Sequence, residues 1–277
     1  MKHDGTPDGR TSDMEYVTLN NGVRMPLLGL DTWDLRGDEC ERVVGEAADE
    51  GYRLFDTAQM YGNEREVGNA LRRCGVDRGD LFVTTKLYRP SASYDRARRG
   101  IKESLKALDL EYIDLLLIHE PYDQSPAMYQ AMEEALERGQ VRAIGVSNFK
   151  SLMYENLLQT CAVVPAVDQV EAHVYHAQRP LQRTLAAHST MMQAWAPFTE
   201  GRRPIFREPT LRDIAEGHGK TAAQVALRYL IQLGIGVIPS KRGRLRQNIN
   251  VFDFSLTDAE MDAVSALDEG RSLFGWY

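Results

Sequence analysis

The chain reads as an α/β protein of the (β/α)₈ TIM barrel class, and three observations carry that expectation. Short apolar runs of strand type alternate with amphipathic helical patterns along the whole chain, the arrangement that yields a parallel sheet with helical crossovers. The runs end near Asp31, Ala58, Leu87, His119, Ser147, Ala172, Pro197 and Ser240, at intervals of 25 to 32 residues and a last one of 43. A strand, a helix and two loops take about 30 residues. Composition does not shift anywhere across these eight units, so 277 residues suit one barrel better than two domains. The expected organisation is a disordered leader over 1–14 and a single barrel catalytic domain over 15–277.

The elements follow in order. "MKHDGTPDGRTS" is polar and carries Gly and Pro, which fits a leader and not a signal peptide. In "YVTLNNGVRMPLLGL", Asn21-Gly22 between two alternating runs predicts a hairpin with a type I′ turn, placed to close the bottom of the barrel. In "DECERVVGEAADEGY", Cys40, Val43, Val44, Ala47 and Ala48 form one apolar helix face, and Gly51 caps its end. In "SPAMYQAMEEALERG", Ser125 is the expected N-cap, Pro126 the first helical residue, and Gly139 follows the end. Thr257 and Glu260 have capping-box spacing. The long last interval leaves room for an extra segment between the seventh and eighth strands.

Bulk properties exclude several classes. A net charge of −7 argues against a nucleic-acid or anionic-membrane partner. Three widely spaced cysteines give neither a disulfide framework nor a zinc spacing and fit a reducing, cytoplasmic setting. No apolar run reaches the roughly 18 residues of a membrane span. His173 and His176 in "HVYH" lack a carboxylate or cysteine cluster to complete a metal shell, so no metal is expected. With no heptad in view, a monomer is the default.

The chemistry sits at strand ends. Asp56, Lys86 and His119 close three neighbouring apolar runs, and Tyr61 follows Asp56 by five residues. In a barrel, residues at the C-terminal strand ends build the active site. A phenol has an unperturbed pKa of about 10. A lysine ammonium beside it favours the phenolate, and a carboxylate holds the lysine charged. An acid, a phenol, an amine and an imidazole at one sheet edge therefore form a proton-transfer set suited to a carbonyl oxygen. A barrel hydrolase or lyase would need paired carboxylates or a metal set instead. Lys241, Arg242, Arg244 and Arg246 crowd "PSKRGRLRQN" in an otherwise acidic chain, a segment that can bind phosphate after the last strand.

"FDTAQMYGNE", "VTTKL", "LLLIH", "RAIGVSNF", "DQVEAH", "GKTAAQVALRY" and "NVFDF" resemble, in order, the sequence blocks of the aldo-keto reductases, and the resemblance runs from Val17 to Phe254. Within the family the chain is most similar to the bacterial, short-tailed type of the diketogluconate reductase and prostaglandin F synthase-like branch. The resemblance implies reduction of a small-molecule aldehyde or ketone with a nicotinamide cofactor. It makes Tyr61 the general acid, Lys86 its activator, Asp56 the support of Lys86, and His119 the group that orients the carbonyl. It assigns Ser147, Asn148 and Gln169 to the nicotinamide carboxamide, and Trp195 to stacking on the ring. Thr32, Ala196, Phe198, Ser240, Lys241, Arg242, Arg244, Gln247 and Asn248 complete the cofactor site, with the basic loop on the 2′-phosphate of NADPH; NADH is the other cofactor to consider. Trp33, Tyr88 and Glu120 are the expected substrate-pocket walls, with Phe274, Trp276 and Tyr277 folding over them. The other function considered is a cofactor-sensing binding protein with little turnover.

The chain departs from the family pattern at identifiable positions. Asp31 stands where glycine is usual, Glu120 where tryptophan is common, and Asp168 where asparagine is common. The last barrel loop is about two residues shorter than usual, by that resemblance, with Ser-Lys for the frequent Lys-Ser. The chain stops soon after its last helix, so a more open site is expected.

Overall fold

The computed structural model describes residues 14–240 and 244–275. The N-terminal strands β1 (Tyr16–Thr18) and β2 (Arg24–Pro26) pair antiparallel. Eight parallel strands follow: β3 (Gly29–Asp31), β4 (Leu54–Asp56), β5 (Phe82–Leu87), β6 (Ile113–Ile118), β7 (Val141–Ser147), β8 (Val167–Glu171), β9 (Met191–Trp195) and β10 (Gly236–Val237). They are hydrogen-bonded in sequence order. The first and last strands meet through bridges from Leu28 to Val237 and from Asp31 to Ser240, which close the sheet into a barrel.

The helices form the outer ring. They are α1 (Gly37–Asp49), α2 (Glu64–Arg73), α3 (Tyr94–Leu108), α4 (Ser125–Glu137), α5 (Ser151–Leu158), α6 (Arg179–Ala186), α7 (Pro209–His218), α8 (Ala222–Gln232), α9 (Leu245–Ile249) and α10 (Asp258–Ser265). The predicted apolar face of α1 is the buried one, and Gly51 follows its end at φ +98°. The extra segment between β9 and β10 holds two short 3₁₀ turns and both α7 and α8. Among the described residues no helix is long and apolar enough to cross a membrane.

Two apolar clusters hold the barrel. The larger lies between sheet and helices. The smaller fills the bottom of the barrel, where Leu19 and Met25 of the hairpin meet Leu54, Phe82, Leu115, Leu117 and Ile238. The hairpin is anchored there by its turn: Asn20 donates to the Pro165 carbonyl at 3.1 Å and Asn21 to that of Arg142 at 2.9 Å. With the bottom plugged, the open end is the C-terminal one.

Three local expectations are corrected. The hairpin forms, but Gly22 alone has positive φ (+86°), and its N–H bonds the Leu19 carbonyl at 2.9 Å. This is a three-residue loop with a left-handed glycine and not a type I′ turn, which needs positive φ at both central residues. Helix α4 begins at Ser125, with Gln124 as its N-cap; the Ser125 hydroxyl accepts from the Tyr122 N–H at 2.9 Å instead. The spans of β4, β9 and β10 end two, two and three residues before the positions read from sequence, although backbone bonds run on past β4 and β10, from the Thr57 N–H to the Thr84 carbonyl and from the Asp31 N–H to the Pro239 carbonyl.

Gly145 sets the approach of β7 to β8. A Cβ there would lie 2.3 Å from the Val167 carbonyl oxygen. Two residues on, Ser147 pairs in register with Gln169. Gly145→Ala is expected to destabilise the protein by about 2 kcal/mol or more, the overpacking cost where backbone must move. Urea unfolding measures this; a midpoint equal to that of the unsubstituted protein would refute the close-packing argument.

Candidate active site

Asp56 ends β4, Lys86 lies near the end of β5, and His119 follows β6. Parallel pairing of these strands brings the three ends together at the open mouth. Asp56 and Lys86 are fully buried, and a buried ammonium is tolerated only when paired. Lys86 Nζ ion-pairs with Asp56 Oδ1, donates to the Thr57 carbonyl at 3.2 Å, and donates to the Tyr61 hydroxyl at 3.1 Å. The other Asp56 oxygen accepts from Gln169 Nε2 at 2.7 Å. Burial pushes the Asp56 carboxyl up in pKa, against the opposing charge of Lys86 and the bonds from Lys86 and Gln169.

Tyr61 reaches this group through a short 3₁₀ turn, Gln59–Tyr61, ended by Gly62 in the left-handed region (φ +63°). Asn63 locks the turn. Its amide donates to the Thr32 and Leu35 carbonyls at 2.9 and 3.0 Å, and its oxygen accepts from the Thr57 hydroxyl at 2.6 Å. The loops after β3 and β4 are thereby joined. The Tyr61 ring is flanked by Trp33 (centroids 4.9 Å apart) and by His119 (5.7 Å), both edge-on. Burial, with the Lys86 charge second, lowers the His119 imidazole to about 3. At neutral pH it is an uncharged donor or acceptor, not a proton source.

A cavity of about 290 Å³ opens over this set, lined by Asp31, Trp33, Met60, Tyr61, His119, Glu120, Ser147, Asn148, Gln169, Trp195, Ala196, Glu200 and Phe274. Ser147 donates to the Gln169 carbonyl at 2.7 Å. Asn148 sits at φ +65°, which asparagine tolerates better than most residues. Its amide donates to the His119 carbonyl at 3.0 Å and to the Ser147 hydroxyl at 3.1 Å, while its oxygen accepts from the Trp195 indole N–H at 2.8 Å. The indole plane is thus held at the cavity edge. Ala196, Thr199 and Glu200 also have positive φ, and such backbone strain concentrates at functional sites.

The C-terminal segment crosses the mouth. Glu171 accepts from the Leu273 N–H at 2.8 Å, from the Ser272 hydroxyl, and from His173 Nε2 at 3.0 Å. Phe274 packs edge-on against Trp195, with the Arg202 guanidinium 4.5 Å from its centroid. Phe274 thereby becomes part of the cavity wall. Trp276 and Tyr277 lie outside the described residues.

Not all of the expected site residues line this cavity. Thr32 is fully buried, and its hydroxyl donates to the Asp56 carbonyl at 2.9 Å. Tyr88 does not line this cavity; it borders a separate one with Gln59, Glu64 and Arg96. The reason is local: β5 ends at Leu87 and the chain turns at once into the 3₁₀ turn Arg89–Ser91, so the strand's inward alternation stops before Tyr88. Phe198 is buried against Phe206 at 5.2 Å. Ser240 borders Asp31 across the barrel seam. Arg244, Gln247 and Asn248 lie at and in α9, while Lys241 and Arg242 fall outside the described residues.

The Aldo/keto reductase family model matches residues 27–269. The chain belongs to the aldo/keto reductase family. Its members are oxidoreductases that interconvert carbonyl and alcohol groups with a nicotinamide cofactor. The chain is 41% identical over 270 residues to a morphine 6-dehydrogenase of Pseudomonas putida, covering 92% of this chain and 91% of that protein. It is 36% identical to a methylglyoxal reductase of Escherichia coli O157:H7, covering 93% and 94%. The crystal structure of a Bombyx mori aldo-keto reductase in complex with NADP superposes with a TM-score of 0.87 at 32% identity, covering 94% of each chain.

For this aldo/keto reductase, sequence reasoning missed Asn63, Met60, Gln193 and Glu171. Gln193 accepts from Gln169 Nε2 at 2.8 Å. It was findable, since Met191, Gln193 and Trp195 alternate along β9. Glu171 was not, because its tail partners are about a hundred residues away.

Proposed function

We propose that this protein reduces a small aldehyde or ketone to its alcohol with NADPH, with Tyr61 giving the proton to the carbonyl oxygen. The observation that carries the reading is the Tyr61 hydroxyl 3.1 Å from a fully buried lysine ammonium. A positive charge at that distance stabilises the phenolate and makes the phenol a stronger acid. Asp56 keeps that charge in place, since a lysine without a carboxylate partner would not stay ionised in a dry interior. Neutral His119, beside Tyr61 and in the same cavity, orients the carbonyl oxygen without competing as an acid.

The residues around the cavity suit a nicotinamide. Trp195 offers a flat aromatic face held by Asn148. Gln169 commits its amide nitrogen to Asp56 and Gln193, so its oxygen is what it offers to a carboxamide N–H. When bound, NADPH would supply the hydride that reduces the carbonyl carbon. The NADP complex of the Bombyx mori relative and the basic run Lys241, Arg242 and Arg244 favour NADPH over NADH. Glu120, at the cavity rim, adds a negative charge there and disfavours carboxylated substrates.

Tyr61→Phe removes only a hydroxyl. It is expected to leave folding and cofactor binding intact and to lower kcat by at least the 10²–10⁴-fold typical of a lost general acid. Lys86→Met should also cripple reduction. Near-normal turnover of Tyr61→Phe would sink the assignment. For the cofactor, NADPH should quench Trp195 fluorescence at far lower concentration than NADH. Equal affinity would mean the basic loop does not select the 2′-phosphate. For the substrate, kcat/KM for pyridine-3-carbaldehyde should exceed that for 2-carboxybenzaldehyde, and the reverse order would exclude the role given to Glu120.

A further inference from the structure

Asp31 is the least expected residue in the cavity. It and Asp56 are register partners on adjacent parallel strands. Register partners project to the same face of a sheet, so both carboxylates enter the barrel mouth side by side. Asp31 is 7% exposed and Asp56 0%. Among the described residues that line the cavity or touch this pair, the nearby fixed cation is Lys86, so two buried carboxylates share one ammonium. They are not equivalent. Asp56 holds the direct ion pair with Lys86 and also accepts from Gln169, whereas Asp31 accepts from the Trp33 N–H at 2.9 Å. The weaker-supported carboxylate is the one that takes up a proton. Asp31 also borders the cavity, so that proton exchanges with solvent.

We propose that Asp31 is a positioning residue of the proton-transfer set, whose charge state tunes Lys86 and thereby sets the pH at which Tyr61 gives up its proton. With Asp31 protonated, Lys86 faces one carboxylate, and its field acts fully on the Tyr61 hydroxyl. With Asp31 ionised, a second negative charge offsets that field, and the phenol holds its proton to higher pH. Reduction, which needs the phenol, then persists into the alkaline range, and alcohol oxidation, which needs the phenolate, begins later. The charged and titratable groups around Asp31 are Asp56 on β4, Lys86 on β5, Glu200 after β9, and Tyr61, His119 and Glu120 around the cavity. Lys241 and Arg242 follow Ser240 in the chain outside the described residues. Burial, then the charge of Asp56, raises the Asp31 carboxyl to about 7, against the pull of Lys86 and the Trp33 N–H.

The inference rests on Tyr61 being the proton donor. Asp31→Asn keeps the oxygen that accepts from Trp33 and removes the charge; Asp31→Gly removes the side chain altogether and guards against a folding defect peculiar to the asparagine. With pyridine-3-carbaldehyde and NADPH, and with the corresponding alcohol and NADP⁺, both variants should shift the alkaline limb of reduction and the onset of oxidation down by about one pH unit. Superimposable profiles would overturn the proposal. A second readout needs no catalysis. Folded Asp31 keeps its proton to about pH 7, whereas an unfolded aspartate loses it near 3.8. Between these values the folded state binds more protons, so this group's contribution to stability falls as pH rises. The Tm advantage of Asp31→Asn over the unsubstituted protein should therefore grow from pH 4 to pH 8. A constant Tm difference would show Asp31 ionised throughout and overturn the proposal, as would a growing one with unmoved rate profiles. Failure of the Tyr61 reading is separate: it would show as full turnover in Tyr61→Phe.

Discussion

One buried positive charge organises the mouth of this barrel. Lys86 is fully buried, and an unpaired ammonium in such a place costs several kcal/mol. Asp56, the Thr57 carbonyl and the Tyr61 hydroxyl together satisfy it. Each partner comes from β4 or the turn that follows it, so the lysine also ties the Tyr61 phenol to the rigid sheet. A phenol on a surface loop would be free to move; here its ring is wedged between Trp33 and His119 and its oxygen is held from below.

The remaining contacts keep that geometry from relaxing. Asn63 binds four backbone or hydroxyl groups from the loops after β3 and β4, which fixes where the Tyr61 turn begins. Gln169 and Asn148 tie β8 and β7 to Asp56 and to the His119 carbonyl. The Asn148 side-chain oxygen in turn holds the indole of Trp195 at the cavity edge. On the far side, Glu171 draws in the C-terminal segment and sets Phe274 against Trp195. Several groups that wall the cavity are thus held by hydrogen bonds to one another.

Much of this was legible before the structure. The eight apolar runs gave the barrel because strand and helix periods differ and their alternation is local. The polar residues Asp56, Lys86 and His119 stood at strand ends, and parallel strands in register carry such ends to one rim. The misreadings were also local in origin. Asn21-Gly22 signals a tight turn, yet the loop has one residue more than the type I′ turn needs. Tyr88 follows the alternation of β5 on paper, but the strand stops one residue earlier.

The sequence by itself determined the fold class, the family and the placing of Asp56, Lys86 and His119 at or beside strand ends, since each depends on short-range pattern and residue type. Only the tertiary structure decided which buried groups face one another. Asp31 and Asp56 are 25 residues apart in sequence yet share a register position. Glu171 and Leu273 are 102 apart yet share a hydrogen bond. Proximity of that kind depends on strand register and on the paths of loops, and a side-chain period of two or 3.6 carries no record of either.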